Sequence, residues 1–332
     1  MEAYQREAIR AQLVDRRQRL TTAVNHVEES THLVQLLQQV DAALERMDHG
    51  SYGLCKACHD PVETDRLMAD PLMCFCLDHL TANQKETLQQ DLELASKIQA
   101  ALLPPRHLDS GDWEASYHYE ALGAVGGDYC DLLPSESCGG VFFAVGDVSG
   151  KGVAASLLMA HAHAIFRSLA ATDLRLDRLV ERANRIFCQS STPSAFATLV
   201  CGWARPSGRV EICNAGHCTP LLFPANGNSR IEANGVPLGL FAGSQYSMRR
   251  LQFAPGQGLL LYTDGVTESR NSLDEEYGVE RLAAFLARQT RLDPRELVRA
   301  CRQELDGFSP GSSRADDVTI MAIRRKAGGL AA

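Results

Sequence analysis

Proline and glycine are missing from the first 49 residues of this 332-residue chain, and the first glycine is Gly50. Nothing there breaks a helix. A basic excess is also missing: the formal charge is −8, with 41 acidic and 33 Lys or Arg side chains. That balance, with no basic patch interleaved with aromatics, argues against a protein that coats nucleic acid. Long apolar runs are scarce. The start, MEAYQREAIRAQ, is too polar for a signal peptide, and the richest later run, GVAASLLMAHAHAIF, holds two histidines and is short for a bilayer span. The expectation is a cytoplasmic protein with no membrane contact. Hydrophobic residues make up 45%, an ordinary globular share, and the length allows two domains.

Cysteine is the exception to this plainness. Eleven are present, and four of them crowd into YGLCKACHDPVETDRLMADPLMCFCLDHL, residues 52–80, with two histidines. The other seven lie at positions 130, 138, 188, 201, 213, 218 and 301 without framework spacing, and read as reduced thiols. Cys55 and Cys58 form a CxxC, and Cys76 and His79 form a CxxH seventeen residues further on. Two tight ligand pairs joined by a short loop suit one tetrahedral Zn²⁺, closed at four ligands and therefore structural. Cys74 leaves the second pair open. The matching two-residue spacer favours Cys76 with His79, with Cys74 and His59 as bystanders.

Periodicity organises the rest. Leu33, Leu36, Leu37, Val40, Leu44 and Met47 recur on one helix face, and Ile9, Leu13, Leu20, Val24 and Val27 make a looser stripe. These are two helices, breaking near residues 28–31, that pair as a hairpin or dimerise. A further helix follows the cysteines, with Leu88, Leu92, Ala95 and Leu102 on one face, and Pro104-Pro105 stops it. The expected parts are N-terminal helices over 1–50, a zinc module over 51–80, a linker helix over 81–105 and a larger domain over 106–325.

In that larger domain, short apolar runs end in Gly, Asp or Asn: 141–147, 195–203, 209–213, 220–223, 259–265 and 318–323. Helical patterns fall at 152–170, 174–190, 277–289 and 294–306. Close neighbours such as 195–203 and 209–213 imply antiparallel hairpins, so a layered α/β sandwich is expected over a doubly wound parallel sheet. Carboxylates stand at the turns: Asp128 and Asp131 in GGDYCD, Asp147 in GDVSGKG, Asp264 in YTDG, and Asp316 and Asp317 in RADDVTI. Singly each is an ordinary turn residue. Gathered at strand ends they would repel one another unless a cation compensates, and an all-oxygen set selects Mg²⁺ or Mn²⁺. GDVSGKG is not a phosphate loop. Three residues separate Gly146 from Gly150 where four are needed, and a glycine follows Lys151.

Two resemblances follow from these residues. LERMDHGSYGLCKAC…RLMADPLMCFCLDH resembles the zinc finger of the DksA/TraR family over about residues 40–80, with His79 where a fourth cysteine is usual. That family inserts a hairpin with an acidic tip into RNA polymerase. The tip here, HVEESTH, lacks paired aspartates, so the polymerase function is not carried over.

LELASKIQAALLPP, GGDYCD, VGDVSGKGVAASLLMA, FATLV, CNAGHCTPLL, PLGL, YTDGVTES, YGVERL and DDVTIMAIRR occur in order over residues 92–325. Together they resemble the SpoIIE/RsbU-type serine phosphatases, a bacterial branch of the metal-dependent protein phosphatase 2C superfamily. The resemblance implies an α+β fold, an αββα sandwich preceded here by a helical zinc module and a linker helix. It implies two Mn²⁺ or Mg²⁺ ions. Asp147 bridges them, the Val148 carbonyl is a further ligand, and Asp128, Asp264 and Asp316 complete the set, with Asp317 beside it. Cys130 is unusual for that family and is expected to face away from Asp128. The superfamily's arginine phosphate clamp has no counterpart near the first motif.

The implied chemistry is attack of metal-activated water on a phosphoserine or phosphothreonine. The implied substrate is a phosphorylated STAS-domain anti-sigma-factor antagonist, and a homodimer through the N-terminal and linker helices is expected. His217 reads as a loop histidine bonded to backbone, and His161 and His163 as packing residues. The competing reading is a DksA-like polymerase regulator carrying an inert phosphatase-like domain.

Overall fold

The computed structural model describes residues 3–24, 31–79, 82–135, 140–172, 174–192, 194–224, 230–289, 292–310 and 316–327. The chain divides into two units, Met1–Asp91 and Leu92–Ala332. Cys138, positions 28–30 of the expected helix break and most of the HVEESTH tip lie outside the described residues, and Thr31 already begins a helix.

In the first unit, helices α1 (Ala3–Val24) and α2 (Thr31–Asp48) pack side by side. Arg6 bonds the Met47 carbonyl and Arg10 pairs with Asp48, while Arg17 meets Asp41, so the helices run antiparallel. Ile9, Leu13 and Leu20 bury against Val40, Ala43, Leu44 and Met47. The described parts of both stripes are thus packed on each other within one chain. The same core takes in Tyr52, Cys55, Val62, Leu67 and Cys76, so the hairpin and the cysteine segment form one packed body, with helix α3 at Thr64–Ala69. Helix α4 (Ala82–Leu102) begins in this unit and ends in the next.

The second unit is two five-stranded antiparallel sheets. One has the order β1 (His107–Ser110), β2 (Trp113–Glu120), β10 (Val318–Arg325), β9 (Gly258–Tyr262), β7 (Leu221–Phe223). The other runs β3 (Asp128–Ser135), β4 (Gly140–Val148), β5 (Ala197–Ala204), β6 (Arg209–Ala215), β8 (Arg249–Gln252). Between them lies a core of Trp113, Phe143, Val145, Val200, Ile212, Leu261 and Met321, among others. Helices α5 (Gly152–Ala170) and α6 (Leu176–Ser190) cover the outer face of the β3–β8 sheet. Helices α8 (Gly278–Arg288) and α9 (Pro294–Phe308) cover the other sheet, and α7 (Asp264–Thr267) is a single turn after β9. This is a mixed α/β sandwich of the expected four layers.

Local chemistry sets these elements. Strand β4 is buried on both faces, which is why GVFFAV is a continuous apolar run with no alternation. Helix α9 starts with a capping box, the Asp293 carboxylate on the Glu296 N–H and the Glu296 side chain on the Asp293 N–H, with proline in the first turn. Helix α5 matches the expected 152–170 in full and, against the expectation drawn from its shorter apolar run, is long and apolar enough by length and composition to cross a membrane. Here Ala155, Met159, Ala162, Ile165, Phe166 and Leu169 pack it onto the sheet.

Candidate active site

Strands β3 and β4 set Asp128 directly across from Asp147. Asp264 opens α7 immediately after β9, and Asp316 and Asp317 lead into β10, the neighbour of β9. One rim of the sandwich therefore carries carboxylates from both sheets.

Asp128 is buried, and one of its oxygens, Oδ2, accepts from Thr263 Oγ1 at 2.9 Å and Thr319 Oγ1 at 2.6 Å. Thr263 stands at the N-cap of α7 but does not cap it; its hydroxyl is used on Asp128 instead. Asp317 binds backbone. Its Oδ1 accepts the Leu122 N–H at 2.6 Å and its Oδ2 the Gly127 N–H at 2.6 Å. This closeness explains two glycines. A Cβ on Gly126 would stand 2.6 Å from Asp317 Oδ2, and one on Gly265 would stand 1.9 Å from the Asp317 carbonyl oxygen. Neither position accepts a side chain.

The electrostatics match a site that lacks positive charge. Burial first, then the neighbouring Asp264, Asp316 and Asp317, raise the Asp147 carboxyl to about 7. Burial and Asp147 push Asp128 well above the usual carboxylate range even though its two threonine hydrogen bonds work the other way. Burial and Asp316 raise Asp264. Lys151, with Nζ 2.8 Å from Asp316 Oδ2, is a cation in ion-pair contact with the set. The donors are all oxygen, the kind hard divalent cations take. Among the described residues no three of these aspartates bring donor atoms within 4.8 Å of one another.

Other expected residues fall elsewhere. Asp131 points to the helix side of β3, where Arg167 of α5 holds it with two bonds of 2.9 Å. Cys130 does not face away from Asp128. Residues two apart share a strand face, and Cys130 sits in the core between the sheets, on the face where Asp128 meets Thr263 and Thr319. His217 is held by side chains as well as backbone: its N–H is accepted by Asn214 Oδ1 and its Nδ1 shares a hydrogen bond with Thr198 Oγ1 at 2.8 Å. Burial pulls its imidazole down to about 4. His161 Nε2 meets Ser190 Oγ, and His163 is buried edge-on to Tyr129.

In the first unit, Cys55, Cys58, Cys76 and His79 have donor atoms all within 4.8 Å of one another. Cys58 Sγ is 3.7 Å from Cys76 Sγ, close to the roughly 3.8 Å edge of a tetrahedron with 2.3 Å metal–sulfur bonds. Burial opposes ionisation of Cys55, yet the N–H groups of Cys76, Cys58 and Ala57 lower its thiol. Cys74 and His59 lie outside this group.

Two stacked antiparallel sheets between helix layers, with acids on one rim, define the PP2C-type phosphatase fold. The model for the family of stage II sporulation protein E, SpoIIE, matches residues 137–326, and the chain belongs to that family. Protein IcfG of Synechocystis is 27% identical over 266 residues, 71% of this chain and 41% of that protein. Phosphoserine phosphatase RsbU of Bacillus subtilis is 23% identical over 247 residues, 73% of this chain and 72% of RsbU. The chain thus spans about two fifths of IcfG's length. The solved PP2C domain of SiaA from Pseudomonas aeruginosa superposes with a TM-score of 0.63 at 20% identity, covering 74% of this chain and 99% of that domain, a likeness of fold.

Proposed function

We propose that the second unit is a metal-dependent protein phosphatase acting on phosphoserine or phosphothreonine, with Asp128, Asp147, Asp264 and Asp316 and the Val148 carbonyl holding two Mn²⁺ or Mg²⁺ ions. The observation that carries this reading is the rim itself: strands and turns of both sheets bring the buried Asp128 together with the half-buried Asp147, Asp264 and Asp316, and burial first, then their mutual repulsion, raises the affinity of Asp128, Asp147 and Asp264 for protons. Bound there, two divalent ions supply the charge these groups lack, bring a water toward ionisation near neutral pH and bind phosphoryl oxygens.

The chain's own residues do the positioning. Thr263 and Thr319 orient Asp128, Asp317 anchors the loop before it, and Lys151 holds a positive charge beside Asp316. Five cysteines of the second unit do not suit a nucleophile's role. Cys130, Cys201, Cys213, Cys218 and Cys301 are all pushed up by burial, so none offers a thiolate.

The substrate in this reading is a phosphorylated STAS-domain antagonist of an anti-sigma factor. Support comes from the motif resemblance and from RsbU, which is named a phosphoserine phosphatase. Cys55, Cys58, Cys76 and His79 hold one structural Zn²⁺, and this DksA/TraR-like module regulates the phosphatase. Dimerisation runs through α4, where Leu88, Leu94 and Ile98 are 38%, 58% and 57% exposed while α1 and α2 bury their stripes on each other. The exposed apolar set is thus offset from the expected face, since Leu92, Ala95 and Leu102 are half-buried. The test is phosphate release from a serine-phosphorylated STAS-domain protein with Mn²⁺, beside Asp264→Asn. Wild-type turnover and a silent variant support the reading; a silent wild type with bound metal contradicts it.

A further inference from the structure

The last turn of α4 carries a glutamine where an amphipathic helix on an apolar surface would place an aliphatic residue. Gln99 is 6% exposed, and it bonds one residue with both ends of its amide. Gly126 N–H donates to Gln99 Oε1 at 3.0 Å, and Gln99 Nε2 donates to the Gly126 carbonyl at 2.7 Å. The two bonds engage the peptide units on either side of the Gly126 Cα and so fix the orientation of both as well as their place, and neither survives a helix shift of an ångström or two.

Gly126 opens the segment Gly126-Gly127-Asp128 that delivers Asp128 to the carboxylate rim. From its other side the segment is held by Asp317, which accepts the N–H groups of Leu122 and Gly127. Two side chains from distant parts of the chain therefore clamp one loop, and the absence of room for a Cβ at Gly126 leaves no slack. The Asp317 side is rigid, because Asp317 adjoins the β10 ladder. The Gln99 side depends on where α4 lies. Leu102 packs against the sandwich below it, whereas Ile98 and Leu94 just above are exposed. The grip stands where the helix passes from covered to bare.

We propose that Gln99 is a positioning residue through which helix α4 sets the place of the Gly126–Asp128 segment and hence the site's affinity for divalent ions. This rests on the reading of the rim as a two-ion site. A signal that rotates or slides α4 breaks both bonds together. It is then read as weaker metal binding, with substrate docking untouched.

The test uses the full chain with Gln99→Leu, which removes both bonds at similar volume, and Gln99→Glu, which keeps an acceptor for the Gly126 N–H but sets a carboxylate against its carbonyl. Lys97→Ala, on the exposed side of α4, is the control. Mn²⁺ affinity is measured by calorimetry, amide exchange over residues 121–128 by mass spectrometry, and KM for the phosphoprotein at saturating Mn²⁺. Both Gln99 variants are expected to bind Mn²⁺ about tenfold more weakly, about 1.4 kcal/mol, to lose protection over 121–128, and to keep KM within about twofold, while Lys97→Ala matches wild type. If Gln99→Leu does not fold, Gln99→Glu decides alone. Unchanged Mn²⁺ affinity in the folded variants overturns the proposal, as does a KM that rises in step with the metal constant. A wild type that binds no Mn²⁺ overturns the two-ion reading itself, an outcome distinct from wild-type binding that the variants share.

Discussion

Asp317 Oδ2 accepts the backbone N–H of Gly127 at 2.6 Å, across 190 positions of sequence. Asp316, one residue earlier, belongs to the carboxylate rim, so the adjacent aspartates divide the work. Asp317→Asn replaces one of two accepting oxygens with a donor that faces an N–H. The expected cost is about 1–3 kcal/mol of unfolding free energy, measured by urea titration. Mn²⁺-dependent turnover should fall at least tenfold. Wild-type stability and rate in this variant would show that the carboxylate does not hold the loop.

Arg167 and Asp131 tie α5 to β3 with two bonds, and the Asp131 side chain is fully buried. Arg167→Ala leaves that carboxylate buried without its partner, an expected loss of about 3 kcal/mol. Chemical denaturation of the wild type and variant checks this. A loss below about 0.5 kcal/mol would mean that solvent replaces the guanidinium.

His217 gives a pH dependence of defined sign. Its folded value of about 4 lies below the ordinary value near 6.5, so the unfolded chain takes up the proton first as pH falls. Stability from this group is full above about pH 6.5 and drains away toward pH 4. The drop from pH 7 to pH 5 is about 2 kcal/mol from the one side chain. The change in unfolding free energy between the two pH values, from urea titration, should differ between wild type and His217→Asn by about that amount. Equal slopes in both proteins would assign the pH effect to other groups.

Much of this was legible because four-layer sandwiches write their inner strands as apolar runs. Strands β4, β5, β6, β9 and β10 and helices α5, α6, α8 and α9 follow the runs and periodicities of the sequence within a few residues. Strands β2 and β3 were not legible. WEASYHYE is polar because Glu114 is neutralised by Arg324 of the neighbouring strand, two bonds of 2.8 and 2.7 Å that no local pattern announces. Edge strand β8, RRLQ, carries the charge that keeps sheet edges unpaired. At the site, the aspartates stood out as a set. Thr263, Thr319 and Gln99 did not, since a hydroxyl or an amide acquires its role only from the partner the fold brings to it. The neighbouring motifs YTDG and DDVTI held the threonines in plain view. Cys130 was misplaced by a count of one along the strand.

The cysteine segment predicts a metal-dependent fold. Cys55 and Cys76 lie in the same core as Leu13 and Val40, so zinc removal should loosen the α1–α2 unit while leaving the sandwich intact. Metal analysis should find one zinc per chain. A strong chelator should cut helical circular dichroism, and Cys76→Ser should reproduce the effect. Full helicity without zinc would show that the core holds the four side chains together unaided.

The proposed ligands of two divalent ions are Asp128, Asp147, Asp264 and Asp316. Titrating Mn²⁺ into the full chain, with zinc sites filled beforehand, tests this assignment directly. The wild type should bind two Mn²⁺ per chain with a raised melting temperature, and Asp147→Asn should lose both. No Mn²⁺ binding in the wild type, or equal binding in Asp147→Asn, would contradict the assignment.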